Sequence, residues 1–188
     1  MVGTVRKIIG ALTLKLMTGV AAVGAVMAPH IGHGQSPTLE AQVKATYLYN
    51  FIQFVEWPQA TWAEGNEFPL CVVGQDRLGA ALDAFGGERV DGRVIRVVRL
   101  TTVDDAVRHH CKLVFLPRGA GDSAQLLARV PSQGVLTVGE APNFTGAGGM
   151  IGLYEVRGRV HFSINDRAAR RAGLVVSSRL LQLARERS

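Results

Sequence analysis

Apolar and polar residues follow a helical spacing over Leu39–Pro58, and we expect the rest of the chain to pack around this stretch. A narrow polar stripe is formed by Gln42, Thr46, Asn50 and Gln53. The positions opposite that stripe are almost all apolar, an arc of roughly 200° where a surface helix usually has about 100°. No single neighbour covers so wide an arc, so the helix should lie between a sheet and either another helix or a partner protein. A helix that only packs into the core is the simpler alternative.

Downstream of Glu67, short apolar runs alternate with helical segments. Strands are predicted at Pro69–Gly74, Val94–Leu100, Lys112–Pro117 and Val135–Glu140. Helices are predicted between them at Asp76–Phe85, Thr102–His110 and Ala124–Val130, with Thr102 as an N-cap. Strands that alternate with helices are typical of parallel βαβ units with right-handed crossovers.

The pattern changes near the end of the chain. Two strand-like runs, Met150–Val156 and Arg159–Asn165, are separated by two residues and predict a β-hairpin. A helix from Arg167 and a last helix, Ser178–Arg185 with Ser177 as its N-cap, follow. The predicted fold is therefore a single α/β domain. Its mixed sheet has about six strands, four mostly parallel plus an antiparallel hairpin, and is flanked by helices.

The first residues have the layout of a secretory signal. Arg6 and Lys7 precede an apolar run, Ile8–Val26, and small residues follow it. Lys15 interrupts the run and no stop-transfer pattern follows, so we expect cleavage and export rather than stable membrane insertion. The predicted organisation is a signal peptide over 1–28, a linker over 29–38 and the α/β domain over 39–188.

The charge of the exported part argues against nucleic-acid binding. The chain has 21 basic and 15 acidic residues, a net charge of +6. Three of the basic residues lie in the signal peptide, which leaves 18 against 15, or +3. The two signs are interspersed and form no sustained basic stripe of the kind that a nucleic-acid-binding surface needs.

Several patterns that look catalytic have simpler structural explanations. The glycine-rich Gly146–Gly152 precedes a strand, whereas a phosphate loop precedes a helix. His30 and His33 stand in a linker, and His109 and His110 stand beside Cys111. Ser177 and Ser178 stand at the start of a predicted helix. No catalytic residue, metal ligand set or cofactor site is predicted.

Residues along nearly the whole exported part of the chain resemble the YfiR family of periplasmic proteins. The resemblance is carried, in order, by VKATYLYNFIQFVEWP (Val43–Pro58), LCVVG (Leu70–Gly74), HCKLVFL (His110–Leu116), LTVGE (Leu136–Glu140), GGMIGLYEVRGRVHFSIN (Gly148–Asn165) and AARRAGLVVSSRLLQLA (Ala168–Ala184). It implies a small periplasmic α/β domain that binds the periplasmic sensor region of an inner-membrane diguanylate cyclase of the YfiN type. Binding would repress the cyclase and lower cyclic-di-GMP signalling, and a homodimer is a further expectation.

The two cysteines suit the periplasm. Cys71 lies in the first predicted strand of the sheet and Cys111 at the start of the third, and such strands are commonly neighbours. A disulfide would close a loop of about 40 residues and contribute roughly 4 kcal/mol. Two buried, unpaired thiols are the alternative. The resemblance also implies that some relatives carry a second cysteine pair, at the places that Thr145 and Gly152 hold in this chain.

Two further sets of residues are candidates for binding. Leu48 and Ile52 lie toward the margin of the apolar arc, so we expect them to be partly exposed and to anchor the cyclase. Asp76, Arg118 and Glu140 follow predicted parallel strands, where ligands of open α/β sheets settle. They define a possible ligand crevice and an alternative function, a periplasmic small-molecule-binding sensor module. Ordinary solvated loop ends are the simpler explanation of these three residues.

Overall fold

A computed structural model of the chain describes residues 36–62 and 65–187. The predicted signal peptide, 1–28, lies outside the described residues. So do His30 and His33 and the rest of the predicted linker up to residue 35. The domain predicted from residue 39 onward falls almost entirely within the described part.

The first helix, α1 (Leu39–Phe54), begins where the apolar pattern begins. The side chain of Thr38 caps it by accepting a hydrogen bond from the backbone N–H of Ala41 at 3.2 Å. The helix ends before Pro58, because Val55 is extended and starts strand β1 (Val55–Glu56). This strand pairs antiparallel with β9 (Val175–Val176), and a 3₁₀ turn (Gln59–Thr61) follows it. The predicted helix is therefore one turn too long.

Within the described residues, eight strands form the main sheet. In chain order they are β2 (Glu67–Val73), β3 (Arg89–Val90), β4 (Arg93–Leu100), β5 (Leu113–Leu116), β6 (Leu136–Gly139), β7 (Ile151–Val156), β8 (Arg159–Ile164) and β10 (Glu186–Arg187). Their spatial order is β10-β8-β7-β6-β5-β2-β4-β3. Strands β4, β2, β5, β6 and β7 are parallel, whereas β8 is antiparallel to β7. The predicted α/β fold, with four parallel strands and a hairpin, is confirmed.

The hairpin turn lies at the predicted position. Arg157 and Gly158 both have positive φ, 50° and 73°, which matches the right-handed twist of the two strands it joins. Val156 pairs with Arg159 directly across this two-residue turn. The register of the whole hairpin follows from it.

The remaining helices are shorter than the apolar pattern predicts. They are α2 (Ala80–Asp83), α3 (Asp105–Arg108), α4 (Ser123–Leu127), α5 (Asp166–Arg171) and α6 (Ser178–Leu183). Thr102 is not an N-cap, because α3 begins three residues later and the Thr102 hydroxyl donates to Asp105 instead. The Ser177 cap is confirmed, since its hydroxyl oxygen accepts from the N–H of Leu180 at 3.2 Å.

Apolar side chains are buried on both faces of the sheet. On one face α1 contacts α2, α6 and β8, and Phe51 lies at the centre of this cluster. On the other face a smaller cluster surrounds a disulfide between Cys71 and Cys111, with Val103, Val130 and other apolar residues around it. The predicted disulfide is confirmed, because β2 and β5 are neighbours and bring the two Cα atoms to 5.9 Å.

The expected exposure of Leu48 and Ile52 is wrong. Their exposed fractions are 0% and 1%, so they are as buried as Phe51 at the centre of the arc. The sheet and two short helices together cover the wide apolar arc within the domain. A partner therefore cannot reach either side chain, and the exposed apolar residue of α1 is Leu39, at its first turn, with 76% exposed.

Candidate functional site

A crevice lies at the carboxyl ends of the neighbouring parallel strands β2 and β5. The chain passes from β2 to β4 on one side and from β5 to β6 on the other, so the loops that leave β2 and β5 separate. A cavity of about 390 Å³ opens between these loops, the first turns of α1 and β7. Its charged lining residues are Glu40, Lys44, Arg77, Arg118, Glu140 and Glu155.

Two of the three predicted crevice residues meet in this cavity. Arg118 and Glu140 both line it. Asp76 does not: its carboxylate accepts hydrogen bonds from the N–H groups of Leu78 and Gly79 at 2.8 and 3.1 Å, and from Arg99 at 2.9 Å. Asp76 therefore shapes the loop after β2, and its place in the cavity is taken by its neighbour, Arg77.

Glu140 is the buried anchor of the crevice. Its exposed fraction is 6%, although it follows a strand that ends at a loop. One carboxylate oxygen accepts from the backbone N–H of Arg118 at 2.9 Å, which joins the loops after β5 and β6. The other lies 2.5 Å from the ammonium of Lys44, which also pairs with Glu40. A lysine of α1 is thus held between two carboxylates.

Sequence reasoning missed Lys44, although one pattern pointed to it. Glu40 and Lys44 are four residues apart on the helix, a spacing that favours an ion pair. The partner across the sheet, Glu140, is almost a hundred positions away in the chain. Only the docking of α1 onto the sheet brings these groups together.

Glu40, Lys44 and Glu140 form a charged triad whose members stabilise one another. Burial lowers the pKa of Lys44, but hydrogen bonds and attraction from Glu140 and Glu40 outweigh it, so the pKa stands above its usual value. The hydrogen bond and charge of Lys44 lower the pKa of Glu40. The stabilisation from Lys44 is present at neutral pH and is lost only as pH rises through its raised pKa. That from Glu40 is lost as pH falls through its lowered pKa.

The two arginines of the crevice are free to bind a ligand. Both Arg77 and Arg118 are exposed, and neither guanidinium forms an ion pair or hydrogen bond within residues 36–62 and 65–187. A guanidinium presents a fork of donors that matches carboxylate and phosphate oxygens. The crevice can therefore hold a small anion without breaking the triad.

The glycine-rich loop after β6 packs around an aromatic ring. The ring of Phe144 lies between Gly139 and Gly149, where an added Cβ would come within 2.3 and 2.2 Å of ring carbons. Only glycine fits at these two positions. Gly152 lies close to Thr145, since a Cβ built on it would stand 3.6 Å from the Thr145 methyl group. Thr145 and Gly152 are thus neighbours in this fold.

Other candidate features have no geometry that supports a site. In the described part of the chain, no group of three or more His, Cys, Asp or Glu side chains is arranged to hold a metal ion. Cys111, beside His109 and His110, forms the disulfide. None of the helices within the described residues is long and apolar enough to cross a membrane.

Comparisons with known proteins place the fold. A family profile described as YfiR/HmsC-like matches residues 41–185. A conserved domain protein from Vibrio cholerae O1 biovar El Tor is similar in structure, with a TM-score of 0.53 and 10% identity over 79% of this chain. An ABC domain from Streptococcus pneumoniae, solved in complex with L-Trp, is similar with a TM-score of 0.52 and 10% identity over 79% of this chain. This chain spans 60% of the length of each. No curated protein matches.

Proposed function

The chain belongs to the YfiR/HmsC-like family, and from this premise we propose that it represses an inner-membrane diguanylate cyclase by binding its periplasmic sensor region. Proteins of this family are periplasmic regulators of diguanylate cyclase signalling. The match over residues 41–185, nearly the whole described domain, is the observation that carries the proposal. Binding keeps the cyclase inactive and lowers the cellular level of cyclic-di-GMP.

The roles of the reactive side chains support regulation by binding. Ser177 caps α6 through its hydroxyl, and Cys111 is joined to Cys71. The glycine-rich loop after β6 is occupied by the ring of Phe144. Ser177, Cys111 and the glycine-rich loop therefore have structural roles.

Deletion of the gene should raise cellular cyclic-di-GMP, and a plasmid copy of the wild type should restore the lower level. In parallel, the purified exported chain should retain the purified sensor region of the cyclase on a column. Mass spectrometry of cyclic-di-GMP and the fraction of sensor region retained are the two measurements. Unchanged cyclic-di-GMP in the deletion strain, together with no retention, would exclude the repressor.

A second candidate function, small-molecule sensing, is favoured by the unpaired guanidiniums of Arg77 and Arg118. We propose that the crevice binds a compound with a carboxylate or phosphate group, held by these two side chains. The ligand would lie against Lys44 and Glu140, and so against α1. This gives a route by which a small molecule changes how the domain meets a protein partner.

A panel of small carboxylates and phosphate esters should contain a compound that raises the melting temperature of the wild type by about 5–10 °C at 100-fold excess over its Kd. The Arg77→Glu/Arg118→Glu variant should lose this rise, because both anion-binding groups are reversed in charge. Differential scanning fluorimetry measures the shift. Arg167→Glu, on exposed α5, is the control and should retain it. An equal rise in the double variant would place the ligand elsewhere.

A further inference from the structure

The β7–β8 hairpin has one covered face and one open face. Leu153 and Phe162, which pair across the hairpin, are 2% and 4% exposed and lie on the face that α1 covers. Successive side chains of a strand point to opposite faces. The next pairs along the hairpin, Tyr154 with His161 and Val156 with Arg159, therefore point away from α1.

Among the described residues, no helix or strand covers this second face near the hairpin turn. Val156 is 46% exposed, Arg159 is exposed, and Tyr154 and His161 are half-buried. Elsewhere on the same side of the sheet, apolar residues of α3, α4 and the loop after β6 cover the disulfide cluster. A broad concavity of about 720 Å³ forms beyond them. We call its lining the open hairpin face: Tyr154, Val156, Arg157, Arg159, His161 and Arg185.

No described side chain compensates the positive charge of the open hairpin face. It contains three arginines, and no carboxylate among the described side chains lines it. None of the three guanidiniums forms an ion pair or hydrogen bond with a described residue. Five other arginines of the domain, by contrast, are paired with carboxylates: Arg96, Arg99, Arg108, Arg129 and Arg170. The open hairpin face thus lacks the carboxylate partners that these five arginines have.

The edge of the sheet is also open here. Strand β10 pairs with β8 only at Ser163 and Ile164, and the backbone N–H of Arg185 donates to the carbonyl of Phe162. From Val160 toward the turn, β8 has no strand neighbour on its outer side among the described residues. An extended segment of another protein can lie along such an edge while its side chains reach the adjoining face.

We infer that the open hairpin face binds an acidic, extended segment of a protein partner. Carboxylates of that segment pair with Arg157, Arg159 and Arg185, and an apolar side chain packs on Val156 beside Tyr154. Tyr and Arg are the side chains that most often carry binding energy at protein interfaces, which favours a protein over a free small molecule. The inference rests on the proposed function, which makes the partner the sensor region of the cyclase.

The test measures binding of the purified exported chain to the purified sensor region by biolayer interferometry at low and high salt. Arg159→Glu/Arg185→Glu should bind at least about tenfold more weakly than the wild type, because two attractions become repulsions. Its affinity should also depend less on salt, since attraction between exposed charges is screened. Val156→Asp should weaken binding as well, and its exposed position should leave the melting temperature unchanged.

Arg167→Glu/Arg171→Glu is the matched control, since it makes the same change of net charge at exposed positions of α5. It should bind within about twofold of the wild type. Equal binding by wild type, both face variants and the control would overturn the inference while the proposed function stands. No binding by the wild type would overturn the function and this partner together. If Arg159→Glu/Arg185→Glu loses the binding of the wild type to anionic phosphatidylglycerol vesicles but binds the sensor region unchanged, the face binds the membrane instead and the inference is overturned.

Discussion

Replacement of Phe51 by alanine is expected to lower the free energy of unfolding by about 3–5 kcal/mol. The ring is fully buried at the centre of the α1 arc. It stacks on Tyr47 with 5.9 Å between ring centroids and meets the edge of Phe162 at 5.2 Å. Truncation removes the transfer energy of the ring and leaves a cavity that a helix clamped between sheet and helices cannot close.

Urea unfolding followed by far-UV circular dichroism measures this loss. Leu39→Ala is the control on the same helix. It also removes a large apolar side chain, but one that is 76% exposed, so the change should stay within about 0.5 kcal/mol. A loss below about 1 kcal/mol for Phe51→Ala would mean that packing against α1 contributes little to the stability of the core on that face of the sheet.

Removal of the disulfide with Cys71→Ala/Cys111→Ala is expected to lower stability by roughly 4 kcal/mol, or on the order of 10 °C in melting temperature. The bridge joins positions separated by 40 residues, so the unfolded chain gains much freedom without it. Both cysteines are buried, at 0% and 2% exposed, and alanine at each place leaves no unsatisfied polar group. Replacing both also avoids a stray thiol.

Melting with and without a reducing agent separates the bridge from packing. The wild type should lose most of the same stability on reduction, whereas the double variant should be insensitive to the reductant. Thiol counts under denaturing conditions check that the wild type starts fully oxidised. A wild-type melting temperature that reduction shifts by less than about 2 °C would contradict a stabilising role for the bridge.

For α1, the sequence pattern predicts which side chains are apolar and face inward, but not what covers them. The width of its apolar arc was correctly inferred, and the core position of Phe51 follows from it. The arc did not determine what covers its margin, because burial against the sheet, α2, α6 or a protein partner is equally favourable for an apolar side chain. Leu48 and Ile52 are covered within the chain, so neither side chain can anchor a partner.

The crevice was predicted in part for a clear reason. The carboxyl ends of parallel strands meet at one edge, and that rule located Arg118 and Glu140. It cannot tell which way a loop side chain turns, and so it chose Asp76, which is used to shape its own loop, over the adjacent Arg77. Lys44 was missed because its partner Glu140 becomes a neighbour only when α1 docks.

The sequence by itself determined the alternation of strands and helices, the hairpin turn and the disulfide partners. These depend on local spacing, on turn residues and on the order of neighbouring strands, all of which are written along the chain. The tertiary structure alone decided the lengths of the short helices, the burial of Leu48 and Ile52 and the exposure of the open hairpin face. Each of these depends on which surfaces, distant in the sequence, come into contact in the fold. A side chain is buried only when a second surface covers it, and the local sequence does not specify that surface.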